Sequence, residues 1–87
     1  MQPYKNRSGQ SNVLAYKIGV DFIVVQFRTG KQTFYLYNYS SAGKNAVEQM
    51  KTLAENGLGL NSYISTKATQ PDHAKKGNSL EEVLLAT

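Results

Sequence analysis

Cysteine is absent from this 87-residue sequence, and histidine occurs once. Without cysteine, neither a disulfide nor a thiolate metal site can supplement the hydrophobic core, and the absence is compatible with a reducing compartment. The one histidine, His73, lies in a polar stretch, and a single imidazole with scattered carboxylates does not make a zinc site. The sequence therefore predicts no metal and no cofactor.

Long apolar runs are also missing. No stretch approaches the roughly 20 apolar residues that a membrane span requires. The first ten residues contain basic side chains with no apolar run behind them, which is unlike a secretory signal. We therefore expect a small cytoplasmic domain without a membrane partner.

The sequence lacks the motifs of common enzymes. There is no Gly-x-Gly-x-x-Gly, P-loop or nucleophile motif, since Gly57-Leu-Gly59 is too short and follows a predicted helix rather than a strand. Asp21 is the only carboxylate inside a predicted strand, and acid–base catalysis usually needs a second titratable group nearby. These absences favour a binding module over an enzyme.

Positive charge is in excess. Ten lysines and arginines stand against six aspartates and glutamates, which gives a formal net charge of +4. Such a balance favours anionic partners such as nucleic acid, through counterion release and long-range attraction. Many small domains carry a similar charge for solubility, so composition alone does not identify the partner.

The middle of the chain predicts strands followed by a helix. Residues 13–18, 20–28 and 33–39 are rich in β-branched and aromatic side chains. Their short connections predict an antiparallel meander. Ser40-Ser41 can cap the helix that follows, and Asn56-Gly57 can end it. The apolar face of this helix consists of Ala46, Val47, Met50, Leu53 and Ala54.

The predicted fold class is α+β, with a three-stranded antiparallel meander packed by one main helix and a short return segment, and with flexible termini. Residues 1–11 are polar and without periodicity, which predicts a disordered tail, and residues 12–65 form the domain. Residues 66–87 are predicted to be a polar linker followed by a short amphipathic helix, which Ser79-x-x-Glu82 opens as a capping box.

Four elements occur in order along the chain: Ser11-Asn12, Ile23-x-Val25-x-Phe27-x-x-Gly30, Tyr35-x-Tyr37 and Gly57-x-x-Leu60-Asn61-x-x-Ile64. Through these elements, residues 12–65 resemble the KTSC family, small domains found alone in bacteria and at the C-terminus of some lysyl-tRNA synthetases. The sequence departs from the family at Asn38-Tyr39-Ser40, where Val-Pro usually opens the helix, and at Leu60, where an aromatic is common. The resemblance implies the α+β fold and, through the synthetase association, RNA or tRNA as a partner.

The tyrosines of the third strand are the first candidates for function. Tyr35, Tyr37 and Tyr39 alternate, so their rings share one face of the sheet. Aromatic rings with basic neighbours can stack unpaired bases. The candidate nucleic-acid-binding residues are Tyr35, Tyr37, Arg28, Lys31, Lys17, Lys44 and Asn61.

The same tyrosines can instead pack beneath the helix, and this core interpretation is favoured because aromatics on a small sheet are usually buried. The turn after the second strand decides their neighbours. A two-residue turn places the tyrosines beside Val20, Phe22 and Val24, whereas a three-residue turn places them beside Ile23, Val25 and Phe27. The sequence does not choose between the two registers.

Asn61 and the C-terminal helix each allow two interpretations. Asn61 can read a base edge, although hydrogen bonding to loop backbone is favoured. Leu80, Val83 and Leu84 form an apolar stripe on a helix too short to be stable alone. That helix either docks on its own sheet, stays disordered, or binds a partner. The main alternative to nucleic-acid binding is thus a protein–protein interaction or self-association, through a sheet edge or this helix.

Overall fold

The structure is a computed structural model that describes residues 1–65 and 74–85. The α+β class and the antiparallel sheet are confirmed, but the sheet has five strands, in the order of the chain, so the predicted three-strand count is wrong. The strands are β1 (Gln2–Pro3), β2 (Val13–Ile18), β3 (Phe22–Phe27), β4 (Phe34–Asn38) and β5 (Lys75–Gly77), and the helices are α1 (Tyr39–Ala42), α2 (Lys44–Asn56), α3 (Leu60–Tyr63) and α4 (Leu80–Leu85).

The pairing of β3 with β4 settles the face on which the tyrosines lie. Tyr37 is opposite Ile23, and Tyr35 is opposite Val25. Side chains of directly opposed residues in an antiparallel pair point to the same face. The tyrosines of β4 therefore share the sheet face of Ile23 and Val25. This is the register that was predicted for a three-residue turn.

Helices α2 and α3 cover this face and form the main core. The apolar stripe predicted for α2 lies against the sheet, with Val47, Met50 and Ala54 fully buried. The buried residues of this cluster are Tyr4, Val13, Ile23, Val25, Tyr37, Val47, Met50, Ala54, Leu60 and Ile64. The residues of the main core are thus spread along the chain from Tyr4, near the N-terminus, to Ile64.

Helix α4 covers the opposite face of the sheet. Its Val83 is fully buried against Val24 and Leu36, and Leu80 and Leu84 pack around the same cluster. Of the alternatives expected for this helix, the structure shows docking on the domain's own sheet, with Leu80 and Leu84 only partly buried. Partner binding by Leu80, Val83 and Leu84 stays a prediction. The predicted cap at Ser79 is present, since its Oγ accepts a hydrogen bond from the Glu82 amide at 3.1 Å.

The N-terminal residues are not a disordered tail. Gln2 pairs with Tyr16 and Pro3 pairs with Ala15, which adds β1 to the edge of the sheet. Tyr4 is 6% exposed, and its hydroxyl accepts a hydrogen bond from the Leu60 amide at 3.3 Å. At the other end, residues 66–73, which include His73, and residues 86–87 lie outside the described ranges.

The entry to the main helix also differs from the prediction. Asn38, not Ser40 or Ser41, caps the short helix α1, and its side chain accepts a hydrogen bond from the Ser41 amide at 2.7 Å. The main helix α2 has Gly43 at its N-cap position and no side-chain cap. Helix α1 ends at Gly43, which has a φ of 92° and precedes α2. Such a φ favours glycine, so the chain changes direction there. The predicted end of α2 at Gly57 is confirmed, with a left-handed φ of 73°.

A small polar cluster ties α2 to the turn between β2 and β3. Lys51 Nζ donates to the carbonyl oxygen of Val20 at 2.9 Å and lies 2.8 Å from Glu48 Oε2. The Tyr39 hydroxyl donates to the same Glu48 oxygen at 2.6 Å. The hydrogen bond from Lys51, followed by that from Tyr39, lowers the pKa of the Glu48 carboxyl. The bond to Glu48 raises the pKa of Tyr39.

These pKa shifts predict how the cluster contributes to stability as the pH changes. A carboxyl whose pKa is depressed by folding stabilises the fold above its unfolded pKa, and this contribution is lost as the pH falls through the folded pKa. We therefore expect Glu48→Gln to lower the urea midpoint at pH 7 and to have a shrinking effect in acid, below the ordinary glutamate pKa of 4.5. The difference is expected to be small because the Glu48 side chain is exposed to solvent.

Urea unfolding at several pH values measures this effect. The matched control is Glu55→Gln, which removes the same charge from α2 outside the cluster. If the midpoint difference between the wild type and Glu48→Gln stayed constant down to strongly acidic pH, the cluster would not hold the carboxylate in its charged form.

Candidate nucleic-acid interface

A cleft of about 220 Å³ lies where β3 ends and β4 begins, beside the end of α3. It brings together residues from four parts of the chain: the start of β2, the end of β3, β4, and the segment of α3. The cleft is lined by Asn12, Phe27, Thr29, Tyr35, Asn61, Ile64 and Ser65. Two of the predicted candidates, Tyr35 and Asn61, therefore lie in one site.

The glycines after α2 place α3 at this cleft. Gly57 and Gly59 both have positive φ, of 73° and 88°, so the chain reverses sharply within three residues. Leu60 is then fully buried in the main core and Ile64 is 7% exposed. With these two side chains anchored, Asn61 and Ser65 remain at the surface of the turn and line the cleft.

The aromatic wall of the cleft is formed by Phe27 and Tyr35. Their ring centroids are 4.9 Å apart with the planes at 70°, an edge-to-face arrangement that is favourable for aromatic pairs. Lys76, opposite Tyr35 in the β4–β5 pair, places its Nζ 5.3 Å from the centroid of the Tyr35 ring. The half-buried tyrosine thus lies between an aromatic edge and an ammonium group.

The three alternating tyrosines have different environments. Tyr37 is fully buried, so its ring belongs to the core and cannot stack on a base in this structure. Tyr39 begins α1 and takes part in the cluster with Glu48. Tyr35 is the one that lines the cleft. The core interpretation is therefore correct for Tyr37, and the stacking interpretation remains for Tyr35.

Two amide side chains lie in the cleft. Asn12 Oδ1 accepts a hydrogen bond from the Thr29 hydroxyl at 3.2 Å. The Asn61 side chain makes no hydrogen bond with any other residue of ranges 1–65 and 74–85. The favoured expectation that Asn61 bonds to loop backbone is therefore not met within those ranges, where its amide keeps a free donor and a free acceptor.

The basic candidates separate into two groups. Arg28 and Lys31 are exposed in the turn that borders the cleft, and the Arg28 amide donates to the Asn12 carbonyl oxygen at 2.8 Å. Lys17 pairs with Val24 and so lies on the face that α4 covers. Lys44 begins α2, which follows the far end of β4. Arg28 and Lys31 therefore remain candidates at this site, whereas Lys17 and Lys44 do not line it.

Sequence reasoning missed Lys76, Phe27 and Asn12 as site residues. Lys76 stands in a polar stretch that predicted a linker, and nothing in its local pattern indicates a strand. Phe27 and Asn12 belong to the segments that resemble the KTSC family, but their place in the cleft depends on the pairing of β2, β3 and β4. The pairing of β2 with β3 and of β3 with β4 brings Asn12 and Phe27 to the same end of the sheet as Tyr35.

Comparison with known proteins gives no match: no family model, no curated protein and no solved structure matches the chain. The resemblance to the KTSC family therefore rests on the sequence elements alone. Within residues 1–65 and 74–85, no group of three or more histidines, aspartates or glutamates is placed to hold a metal ion. None of the helices in these ranges has the length and apolar character needed to cross a membrane.

Proposed function

We propose that this domain is a small non-catalytic binding module that takes RNA, or another single-stranded nucleic acid, at the cleft of Tyr35 and Asn61. The observation that carries the proposal is the setting of Tyr35. Its half-buried ring lies in an open cleft between Phe27 and the Lys76 ammonium. The family resemblance supports the same class of ligand.

The chemistry of the cleft suits an unpaired base. A base has an apolar face that stacks on aromatic rings, and replacing the aromatic with alanine weakens binding by about 1–3 kcal/mol per base. It also has a polar edge that the amides of Asn12 and Asn61 can meet. In a double helix both the face and much of the edge are occupied by neighbouring bases, so a single strand is the better ligand.

The charges near the cleft suit the phosphates of that strand. Arg28 and Lys31 are exposed on the turn that borders the cleft, and the Lys76 ammonium lies over the face of the Tyr35 ring. With a formal net charge of +4, the whole domain attracts a polyanion, and these three cations concentrate the attraction beside the aromatic wall. The binding energy therefore combines stacking with phosphate contacts.

A protein partner is less well supported by the geometry. The apolar stripe of α4 is used inside the domain, with Val83 fully buried. The two edge strands have only two and three residues, and they carry Pro3 on β1 and lysines on β5. Short edges with proline and lysine are features that discourage the addition of another strand.

A titration with fluorescently labelled single-stranded RNA at about 50 and 200 mM salt tests the proposal. We expect measurable binding that weakens as salt rises. Replacing Arg28 and Lys31 together by glutamine is expected to weaken binding. It is also expected to reduce the slope of log K against log salt by about 0.7 for each phosphate that the variant no longer neutralises.

The matched control is the double variant Lys17→Gln and Lys44→Gln. It removes the same charge from positions that do not line the cleft, so a smaller decrease in affinity is expected. Binding no better than millimolar at the lower salt would contradict the proposed function. Equal decreases in the two double variants would contradict the location of the site.

A further inference from the structure

A second depression adjoins the cleft at Asn61. It has a volume of about 260 Å³ and is called the polar pocket below. Asn61 lines both the cleft and this pocket, and Ser11 of the pocket directly precedes Asn12 of the cleft. The two depressions therefore share walls made of residues 8–12 and 59–65, and together they form one groove. The polar pocket is lined by Ser8, Gln10, Ser11, Gly59, Asn61 and Ser62.

The loop of residues 6–11, which forms one wall of the polar pocket, is held in place by hydrogen bonds. Asn6 Oδ1 accepts a hydrogen bond from the Ser11 amide at 3.0 Å, which closes the loop on itself. The Arg7 amide donates to the Gly57 carbonyl oxygen at 2.8 Å, which ties the loop to the end of α2. We therefore expect the pocket to be formed before a ligand arrives, so that little ordering cost opposes binding.

Two hydroxyl groups of this loop are positioned to donate to a ligand. Ser8 Oγ accepts the Gln10 amide at 3.2 Å, and Ser11 Oγ accepts the Val13 amide at 3.1 Å. The backbone thus fixes both oxygens. Within residues 1–65 and 74–85, neither hydroxyl donates to another residue. Each hydroxyl hydrogen is therefore available to an acceptor, such as an oxygen of a phosphate group.

The two halves of the groove differ in chemistry in the same way as the parts of a nucleic-acid strand. The cleft contains the rings of Phe27 and Tyr35, whereas the described residues that line the polar pocket include no aromatic ring and no carboxylate. The exposed Arg7 directly precedes Ser8, and residues 1–20 contain three basic and no acidic side chains. A single strand likewise consists of bases that stack on aromatic rings and a negatively charged backbone that follows a positive groove.

We infer that a strand bound at the cleft continues past Asn61 into the polar pocket, where its next phosphate group is bound. This inference rests on the proposed function, because it extends the site of the same ligand. The groove then holds one stacked base together with the neighbouring phosphate. Ser8 and Ser11 donate to the phosphate oxygens, and the positive charge of the N-terminal segment attracts them.

The variant Gln10→Glu tests the inference by adding a negative charge to the polar pocket. Gln10 is exposed, so the fold is expected to tolerate the change. Binding of fluorescently labelled oligouridine RNA to the full chain is measured by fluorescence anisotropy. At about 50 mM salt we expect about fivefold weaker binding, the effect of a like charge about 4 Å from a phosphate in water. The difference is expected to shrink at about 200 mM salt, because salt screens the repulsion.

A second variant and a control accompany this measurement. Ser8→Asp also adds a charge to the pocket, and its carboxylate can still accept the Gln10 amide, so it reports on the pocket even if Gln10→Glu does not fold. It is expected to weaken binding with the same dependence on salt. Gln49→Glu adds the same charge at an exposed position of α2 that lines neither half of the groove. Its affinity is expected to stay within about twofold of the wild type.

The outcomes separate this inference from the proposed function. If the wild type binds RNA and the folded pocket variants bind it as tightly as Gln49→Glu does, no phosphate lies in the polar pocket, and the proposed function stands without this extension. A decrease that is the same at both salt concentrations would also overturn the inference, because it would report a disturbed loop instead of charge repulsion. Failure of the wild type to bind RNA would overturn both.

Discussion

Replacing Tyr37 with alanine is expected to lower the free energy of unfolding by about 3–5 kcal/mol, as the removal of a buried aromatic usually does. Tyr37 is fully buried, stands opposite Ile23 in the sheet, and packs in the cluster with Val47 and Met50. Domains have a total stability of about 0.05–0.15 kcal/mol per residue. The decrease is therefore a large part of what holds this 87-residue chain folded.

Urea unfolding followed by circular dichroism measures this effect, and Tyr35→Ala is the matched control. Tyr35 is on the same strand and the same sheet face, but it is half-buried and lines the cleft. Its replacement is expected to cost less stability and to weaken RNA binding. If both variants were destabilised equally, the two tyrosines would not have the different environments that the strand register gives them.

Replacing Val83 with aspartate is expected to destabilise the domain by at least about 3 kcal/mol, since it places an unpaired charge in an apolar cluster. Val83 is fully buried between α4 and the sheet, where it contacts the cluster of Val24 and Leu36. A helix of six residues has no stability of its own, so its attachment depends on this contact. We therefore expect α4 to detach and the sheet face beneath it to be exposed.

The control for this variant lies in the same helix. Leu85 is 82% exposed, and Leu85→Asp is expected to leave the urea midpoint nearly unchanged. A rise in the fluorescence of the dye ANS in Val83→Asp alone would report the exposed apolar face. If Val83→Asp were as stable as the wild type, α4 would not be docked on this sheet, and the helix would return as a candidate surface for a protein partner.

Local patterns were sufficient for the centre of the fold and insufficient for its edges. β3 and α2 have dense β-branched residues and a regular apolar stripe, so each is visible in its own segment. β1 has two residues and β5 is Lys-Lys-Gly, which has low strand propensity. These two strands form because β2 and β4 offer unpaired backbone groups. That cause lies elsewhere in the chain and leaves no local signal.

The site was predictable in its residue types and not in its arrangement. Tyr35, Asn61, Arg28 and Lys31 were recognisable as aromatic, amide and basic groups near one turn. Tyr37 has the same type and spacing as Tyr35, and its complete burial follows from its central place in the sheet. Lys76 reaches Tyr35 only through the pairing of β5 with β4, and that pairing could not be inferred from a polar segment.

An NMR chemical-shift map on adding single-stranded RNA tests most directly whether the cleft binds nucleic acid. The predicted result is a group of perturbed signals from Asn12, Tyr35 and Lys76, together with the side-chain amide of Asn61, while the side-chain amide of Asn45 stays unchanged. Perturbations confined to Lys17 or Lys44, or the absence of any change at saturating RNA, would contradict the account.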